Sequence, residues 1–356
     1  MNTGFWKAKN VFLTGHTGFK GSWLSLWLQK MGANVVGYSL PPPTRPSFFE
    51  DGDIAGGIVS SIGDVRDVDK LTRTIKKHRP EIIIHMAAQA IVKQSYQNPL
   101  ETYEINVMGT ANLLDVVRRT DCTKVVIIVT SDKCYENREW VWGYREVDPM
   151  GGHDPYSSSK GCAELVTAAF RKSFFHAESQ SGSDVRVASV RAGNVIGGGD
   201  WADFRLVPDI YRAIFGGRPL QIRNPDSIRP WQFVLEPLCG YLLLAEKMWE
   251  TDKSFSEGWN FGSPVTDCKP VSWIVGEIGR LWGDRFKWHL DQGPHPHEAH
   301  FLQLDCSKAT RILGWASKLD LKTALHWVNE WYAGYHQHKD IREIAVNQIS
   351  TYEDML

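Results

Sequence analysis

Short apolar runs rich in β-branched residues alternate along the first half of the chain with stretches of helical spacing. The runs cover residues 10–14, 34–39, 57–62, 81–86, 124–130 and 184–191. Between them, apolar residues recur at helical intervals, as at Trp23, Leu24, Trp27 and Leu28. Such alternation is typical of a parallel sheet covered by helices on both faces. The sequence therefore predicts an α/β fold built on a doubly wound parallel sheet.

The alternation of strands and helices fades after residue 197, where glycine, proline and arginine become frequent. We therefore assign residues 1–197 to a first domain and residues 198–356 mainly to a smaller α/β lobe. The apolar segment 238–248 and the strand-like segment 258–261 are expected to return to the first domain. A range of about 235–262 then belongs to the first domain, and the two parts interleave.

Charge and cysteine usage exclude several classes of partner. Lysine and arginine number 40 against 41 aspartate and glutamate, a net charge of -1, so no electrostatic attraction to nucleic acid or to an anionic membrane is expected. No apolar run is long enough to span a bilayer and no secretory signal is present, which predicts a cytoplasmic protein. The six cysteines form no C-x-x-C pair and predict neither a zinc site nor a dithiol motif.

A glycine loop joins the first strand to the first helix. It has the spacing G-x-x-G-x-x-G between Gly15 and Gly21. Glycines at this junction allow a tight turn and close approach of the backbone to a pyrophosphate, and the helix N-terminus supplies N–H donors. The loop predicts a dinucleotide site, with candidate contacts at Gly15, His16, Thr17, Gly18, Phe19 and Gly21.

The ends of the next three strands bear on which dinucleotide binds. NAD sites carry an acid on the adenosine ribose about 20 residues beyond the glycines, but here the second strand ends at Ser39. Arg45 nearby is able to meet the 2'-phosphate of NADP, so the choice between NAD and NADP stays open at this point. Further candidate cofactor contacts are Asp64 and Val65 after the third strand, and Ala87, Ala88 and Gln89 after the fourth.

Reactive side chains follow the fifth strand and open a later helix. Ser131, Asp132 and Lys133 reach the carboxyl edge of the sheet, where ligands of open α/β sheets bind. Tyr156 and Lys160, four residues apart, share one helix face. We expect the Lys160 ammonium to lower the pKa of the Tyr156 phenol from about 10, which would enable Tyr156 to take a proton from a substrate hydroxyl.

Together these features resemble the extended short-chain dehydrogenase/reductase family over nearly the whole chain. The residues that carry the resemblance are 15–21, Asp64, Ala87 to Gln89, Asn106, Ser131, Tyr156 and Lys160. The resemblance implies a Rossmann-type NAD-binding domain, a nucleotide-sugar substrate in the second lobe, and Asn106, Tyr156 and Lys160 among the NAD contacts. Members that regenerate NAD in every turnover do not need a tight ribose clamp, so we favour NAD despite Ser39.

The triplet at 131–133 is similar to the Thr-Asp-Glu of nucleotide-sugar 4,6-dehydratases, with Lys133 in place of the glutamate. This lysine, the loop 15–21 and the stretch 294–300 most resemble the branch that acts on CDP-glucose; the choice of base rests on this resemblance alone. It further implies that the substrate contacts Asn194, Arg229, His297 and Glu298. The product would be a 4-keto-6-deoxy sugar nucleotide for deoxysugar and O-antigen lipopolysaccharide biosynthesis.

The resemblance assigns a role to each reactive residue. Tyr156 removes the proton of the 4-hydroxyl while Ser131 hydrogen-bonds the same oxygen, and Asp132, protonated, delivers the proton that lets the 6-hydroxyl leave. Lys133 is either the base at carbon 5, which requires a neutral amine, or a cation that stabilises the enolate. A lowered pKa of Lys133 would need its burial and the positive field of Lys160.

Two other functions and two further features remain to be weighed. A nucleotide-sugar 4-epimerase would use Tyr156, Lys160 and Ser131 but would need no acid or base at carbons 5 and 6. A non-catalytic dinucleotide sensor would need none of these three reactive residues.

The histidines of residues 295–300 are able to bind a metal, but the resemblance favours a substrate loop and no metal. Helical segments 101–118 and 156–175 lie together in the family pattern and predict a homodimer or homotetramer.

Overall fold

The computed structural model describes residues 1–175, 184–283, 286–293 and 301–356. The strands are β1 Asn10–Thr14, β2 Asn34–Ser39, β3 Val59–Ile62, β4 Ile82–His85, β5 Val125–Val129, β6 Arg186–Arg191, β7 Val195–Ile196, β8 Leu220–Ile222, β9 Ile228–Pro230, β10 Gln232–Phe233, β11 Gly258–Asn260, β12 Cys268–Pro270 and β13 Trp288–Leu290. The helices are α1 Phe19–Lys30, α2 Phe48–Asp51, α3 Val68–His78, α4 Val92–Gln97, α5 Pro99–Tyr103, α6 Gly109–Arg118, α7 Pro155–Phe174, α8 Leu206–Phe215, α9 Leu235–Glu250, α10 Val271–Trp282, α11 Leu321–His336 and α12 Ile341–Glu353. Two π-helical turns cover Glu104–Met108 and Ala309–Leu313.

Seven strands form one parallel sheet in the order β11-β6-β5-β4-β1-β2-β3. The register places Thr14 of β1 between Tyr38 of β2 and His85 of β4. The chain runs from β1 outward to β2 and β3 and then returns to the other side of β1, so the strand order reverses between β1 and β4. The crevice beyond the carboxyl ends of these strands is where such sheets bind ligands. The predicted parallel α/β sheet is confirmed.

Helices cover both faces of the sheet because the central strands are apolar on both sides. One buried cluster joins Trp23 and Trp27 of α1 to the helices of the later chain, including Trp331 of α11. A second cluster joins Leu71 of α3 to Leu113 of α6. The sheet is therefore doubly wound. Within the described ranges, no helix is long and apolar enough to cross a membrane.

The later segment 235–262 contacts the sheet at two places. Helix α9 packs against β5, and β11 pairs with β6, with Gly258 opposite Ser189. These contacts support the proposed return of this segment to the first domain. The division of the chain near residue 197 stays a prediction.

Three small sheets pair segments from the later part of the chain. Strand β7 pairs with β10, β8 with β13, and β9 with β12. Asn194 immediately precedes β7 and Arg229 lies in β9. These pairings position the candidate substrate residues relative to the crevice.

A buried ion pair fixes helix α7 to the sheet. Glu164 and Arg191 are each 4% exposed, and the Arg191 Nη2 lies 2.9 Å from a Glu164 carboxylate oxygen. The hydroxyls of Thr130 and Ser189 donate to the same carboxylate at 2.5 and 2.6 Å. Burial opposes ionisation of Glu164, but the Arg191 charge and these hydrogen bonds outweigh it and lower the pKa of the carboxyl. The pair joins α7, β6 and the end of β5.

We expect Glu164→Leu to lower the free energy of unfolding by about 3–5 kcal/mol, because it leaves the Arg191 guanidinium buried without a counter-charge. Urea denaturation of the purified protein measures this change. The control is Glu250→Ala, which breaks an exposed pair with Lys247 at 3.5 Å and should cost at most about 1 kcal/mol. Equal losses in the two variants would contradict a structural role for the buried pair.

Candidate active site

The glycine loop is closely packed at its first and last glycines and open at the middle one. Gly15 has φ +76°, and a Cβ there would lie 2.8 Å from the Ala87 nitrogen. A Cβ on Gly21 would lie 2.1 Å from the Gly15 carbonyl oxygen, so neither position has room for a side chain. At Gly18, the N-cap of α1, a Cβ would meet only the Gly15 oxygen at 3.4 Å. The backbone N–H groups of this helix start therefore form a cradle that fits a pyrophosphate.

His16 and Thr17 face the second strand. The His16 ring lies so close to Gly37 that a Cβ there would be 2.3 Å from it, and its Nε2 lies 2.8 Å from the Ser60 hydroxyl. Burial lowers the pKa of His16 to about 4, so the ring is neutral. The Thr17 hydroxyl lies 2.9 Å from that of Ser39. The end of β2 therefore offers hydroxyls, and no carboxylate, to an adenosine ribose.

Asp64 and Val65 lie where the third strand ends. Asp64 accepts hydrogen bonds from the backbone and guanidinium of Arg66, the closest at 2.7 Å, and this pairing lowers the pKa of the carboxyl. Val65 is buried against Gly109, where a Cβ would lie 2.7 Å from its side chain. Asp64 is thus an ionised acceptor already shared with an arginine.

Asn106 holds the loop that follows β4. Its amide oxygen accepts from the Gln89 nitrogen at 2.9 Å, and its amide nitrogen donates to the Gln89 carbonyl at 3.0 Å and the Ser159 hydroxyl at 2.8 Å. The Gln89 side chain bonds to Ile91 and Thr102. Both side chains are used inside the protein, so they support the backbone of Ala87 to Gln89 beside the glycine loop. Ala88, between Ala87 and Gln89 in the chain, is half-buried.

Asp132 lies buried beside Ser131. The Ser131 hydroxyl donates to Asp132 Oδ1 at 3.0 Å, while Oδ2 is buried and has no hydrogen-bond partner among the described residues. A Cβ on Gly193 would lie 1.7 Å from Oδ2, so only glycine fits there. Burial raises the pKa of Asp132, although the nearby charges of Lys133 and Arg229 oppose the rise. This direction favours the protonated acid that the sequence analysis requires.

Tyr156 and Lys160 lie one turn apart near the start of α7, which Asp154 caps through the Ser157 nitrogen at 2.9 Å. Burial raises the pKa of the Tyr156 phenol to about 12, against a hydrogen bond with Ser131 and the charge of Arg205. Burial lowers the pKa of Lys160 to about 8. The prediction that Lys160 lowers the Tyr156 pKa is wrong for this structure, because burial outweighs the charges and the cation acting on the phenol is Arg205.

Two cations at the site escaped the sequence analysis. The Lys20 ammonium donates to the Tyr241 hydroxyl at 2.9 Å, and burial, Lys160 and Arg205 together lower its pKa to about 7. Lys133, by contrast, is only half-buried. Lys20 is the second residue of α1, within the glycine loop, and the spacing of the glycines does not specify the residue there. Arg205 follows an irregular segment without any pattern.

Of the four candidate substrate residues, Asn194 and Arg229 lie within the described part of the chain. Asn194 has φ +46°, and its carbonyl accepts from the Gln232 nitrogen at 3.3 Å. Arg229 lies close enough to Asp132 for its charge to act on that carboxyl. His297 and Glu298 lie outside the described residues, as do the other histidines of the 295–300 stretch. Within the described ranges, no three metal-binding side chains cluster.

The sheet and the Ser131, Tyr156 and Lys160 set define an extended short-chain dehydrogenase/reductase. A family model described as GDP-mannose 4,6 dehydratase matches residues 12–327. The chain belongs to this family, which confirms the resemblance seen in the sequence.

Individual relatives resemble the chain over nearly its full length. A CDP-glucose 4,6-dehydratase of Salmonella typhimurium strain LT2 is 53% identical over 352 residues, 99% of this chain and 98% of that protein. A solved epimerase from Methanothermobacter thermautotrophicus superposes with a TM-score of 0.79 at 21% identity, covering 96% of both chains. A dTDP-glucose 4,6-dehydratase from Bacillus anthracis in complex with NAD gives 0.76 at 20% identity, covering 93% of this chain and 99% of its own.

We expect Gly193→Ala to lower the free energy of unfolding by about 1–3 kcal/mol, because the new methyl group overlaps Asp132 Oδ2. In an Asp132→Ala background the same substitution should cost less. Gly276→Ala in α10 is the matched control, since its methyl group meets nothing within 4 Å. Denaturant titration of the four variants measures the coupling. An equal cost with and without the Asp132 carboxyl would contradict the steric argument.

Proposed function

We propose that the chain is an NAD-dependent 4,6-dehydratase that converts CDP-glucose to CDP-4-keto-6-deoxyglucose. The observation that carries the proposal is Asp132, a buried carboxyl with a raised pKa and an unpartnered oxygen, next to Ser131. Oxidation or epimerisation at carbon 4 needs no such acid, but loss of the 6-hydroxyl does. The 53% identity to a CDP-glucose 4,6-dehydratase over nearly the full length of both chains supports the same substrate.

Tyr156 and Ser131 would act on the 4-hydroxyl of the sugar. The Ser131 hydroxyl lies close enough to the phenol to lower its pKa, so one substrate oxygen is able to meet both groups. Tyr156 takes the hydroxyl proton as a phenolate. Because burial alone raises the pKa of the phenol, the phenolate depends on positive charge, which Arg205 supplies on one side.

NAD fits the cradle formed by the glycine loop and the N-terminus of α1, and Lys160 lies one helical turn beyond Tyr156. When bound, it would take a hydride from carbon 4 and return it to carbon 6, so that no external oxidant is consumed. The absence of a carboxylate at the end of β2 is compatible with a cofactor that is restored in every turnover. Arg45, the residue that would favour NADP, is exposed.

Elimination would use Asp132 and a base. The 4-ketone acidifies the proton on carbon 5. Once that proton is removed, protonated Asp132 donates its proton to the departing 6-hydroxyl, and one water leaves. Lys133 is the base if it is neutral and stabilises the enolate if it is charged. The half-buried position of Lys133 is compatible with either role.

We also propose a homodimer or homotetramer in the cytoplasm that supplies deoxysugar and O-antigen lipopolysaccharide biosynthesis. Three apolar side chains are exposed on the α5 to α7 side, Leu100 by 78%, Met108 by 53% and Leu165 by 60%. Helices α6 and α7 pack against each other and present a joint surface to a second copy.

A substitution tests this assembly. We expect Leu165→Glu to reduce the mass measured by sedimentation equilibrium, because it buries a charge in the interface. Ile312→Glu is the control, since Ile312 is equally exposed at 60% but lies in another part of the molecule. An unchanged mass for Leu165→Glu would contradict this interface.

The decisive experiment supplies the protein with NAD and CDP-glucose deuterated at carbon 4, and locates the label by NMR. We expect the deuterium at carbon 6 of a 4-keto sugar. Deuterium kept at carbon 4 with inverted configuration would identify an epimerase. Parallel reactions with UDP-glucose, dTDP-glucose and GDP-mannose test the choice of base. Tyr156→Phe should lower the rate about 10²- to 10⁴-fold, whereas Tyr335→Phe, with a lysine at the same spacing, should not.

The same assay separates the two roles of Lys133. In D₂O, a base at carbon 5 exchanges that proton of the 4-keto product with solvent. If Lys133 is the base, Lys133→Ala should abolish the exchange at carbon 5 while the transient oxidation at carbon 4 persists. Exchange at the parent rate in Lys133→Ala would exclude the base role.

A further inference from the structure

Lys93 and Phe204 meet although they come from different parts of the fold. Lys93 belongs to α4, which follows β4, and Phe204 lies two residues before α8 begins. The Lys93 ammonium lies 4.2 Å from the centre of the Phe204 ring, and the ring is 48% exposed. This is a cation–π contact at the surface.

The backbone at Phe204 adopts a conformation that its side chain disfavours. Its φ is +64°, in the left-handed region that non-glycine residues rarely adopt. Such positions persist where the surroundings hold them, and they cluster at functional sites. Here the Phe204 ring contacts Lys93 of α4. The residue that follows Phe204 in the chain is Arg205.

The two segments that meet at this contact each act on Tyr156. Ser95, two residues after Lys93, accepts a hydrogen bond from the Tyr156 nitrogen at 3.2 Å. Arg205, the residue after Phe204, donates to Asp200 at 2.9 Å, and its charge acts on the Tyr156 phenol and on Lys20. The contact therefore links the segment that bonds the Tyr156 backbone to the segment that carries Arg205.

We propose that Lys93 and Phe204 form a latch that closes the crevice over Tyr156 and holds Arg205 beside the phenol. Both are positioning residues, since they act through Tyr156 and Arg205. The inference rests on the proposed function and adds a closing step to it. Lys93 belongs to the helix that follows β4, and Phe204 to the segment that precedes α8.

The contact has a strength suited to opening in every turnover. An exposed cation–π pair shifts an equilibrium only about twofold to fivefold. Substrate is therefore able to enter and product to leave, while the closed arrangement is favoured during the reaction.

The test uses variants that separate the ring, the charge and the backbone. Phe204→Gly keeps the left-handed backbone but removes the ring, and Phe204→Tyr keeps the ring. Lys93→Met removes the charge, and Lys93→Arg keeps it. We expect a twofold to fivefold loss of kcat/KM for CDP-glucose in Phe204→Gly and Lys93→Met, no further loss in the double variant, and parent values in Phe204→Tyr and Lys93→Arg. Additive losses would overturn the latch.

The pH profile separates positioning from a general loss of structure. The groups that act on the Tyr156 phenol are Ser131, Asp132, Arg205 and Asp154. If the open latch releases Arg205, the phenolate loses a stabilising cation and the acidic limb of kcat/KM moves to higher pH. We expect this shift in Phe204→Gly and not in Phe204→Tyr. A lower rate with an unmoved limb would overturn the role in positioning Arg205.

A measurement without substrate separates this inference from the proposed function. Trypsin cleaves after arginine, and we expect the bond after Arg205 to be cut faster in Phe204→Gly and Lys93→Met than in the parent, as located by mass spectrometry. Faster cleavage of both variants, in a protein that does not dehydrate CDP-glucose, would support the latch and contradict the proposed function. Cleavage of both variants at the parent rate, in a protein that does dehydrate CDP-glucose, would contradict the latch and leave the proposed function standing.

Discussion

The buried pair between Glu164 and Arg191 is the interaction on which the geometry of the candidate site depends. It ties α7 to β6 and, through the Thr130 hydroxyl, to the end of β5. The Arg191 guanidinium also donates a hydrogen bond to the Tyr135 hydroxyl. That hydroxyl donates in turn to the side-chain oxygen of Asn260 in β11 at 2.8 Å. Tyr156 and Lys160 precede Glu164 on α7, and Ser131 follows Thr130. The buried ion pair thus fixes the position of α7, which carries Tyr156 and Lys160, relative to the end of β5. Ser131 and Asp132 follow that strand.

Burial is the dominant electrostatic influence at this site. It raises the pKa values of Asp132 and Tyr156 and lowers those of Lys20 and Lys160. All four of these shifts favour the neutral form, as expected where water is excluded. With Arg205 and Arg229 beside them, these lysines give the crevice a surplus of basic groups. The diphosphates of a dinucleotide and of a nucleotide sugar are suitable counter-ions, and their binding would favour the charged form of the buried lysines.

The sequence anticipated the fold better than the electrostatics. Strands β1 and β2 end where the apolar runs end, and the glycine loop has the close contacts that its spacing indicates. Asn106 was expected beside the cofactor, but its amide is used in holding Gln89. Lys160 was expected to lower the pKa of Tyr156, whereas burial raises that pKa, and the charge of Lys160 acts on Lys20. Spacing along one helix predicts a shared face but gives no distance to groups on other elements.

The sequence by itself determined the parallel sheet, the glycine loop and the residue types of the reaction, because these depend on local periodicity and on neighbours within one element. Only the tertiary structure decided that Gly193 makes room for Asp132, that Lys20 and Arg205 enter the site, and that Lys93 meets Phe204. These relations join residues far apart in the chain. The physical reason is that burial, and the distances between charges that it makes decisive, exist only after the elements have packed.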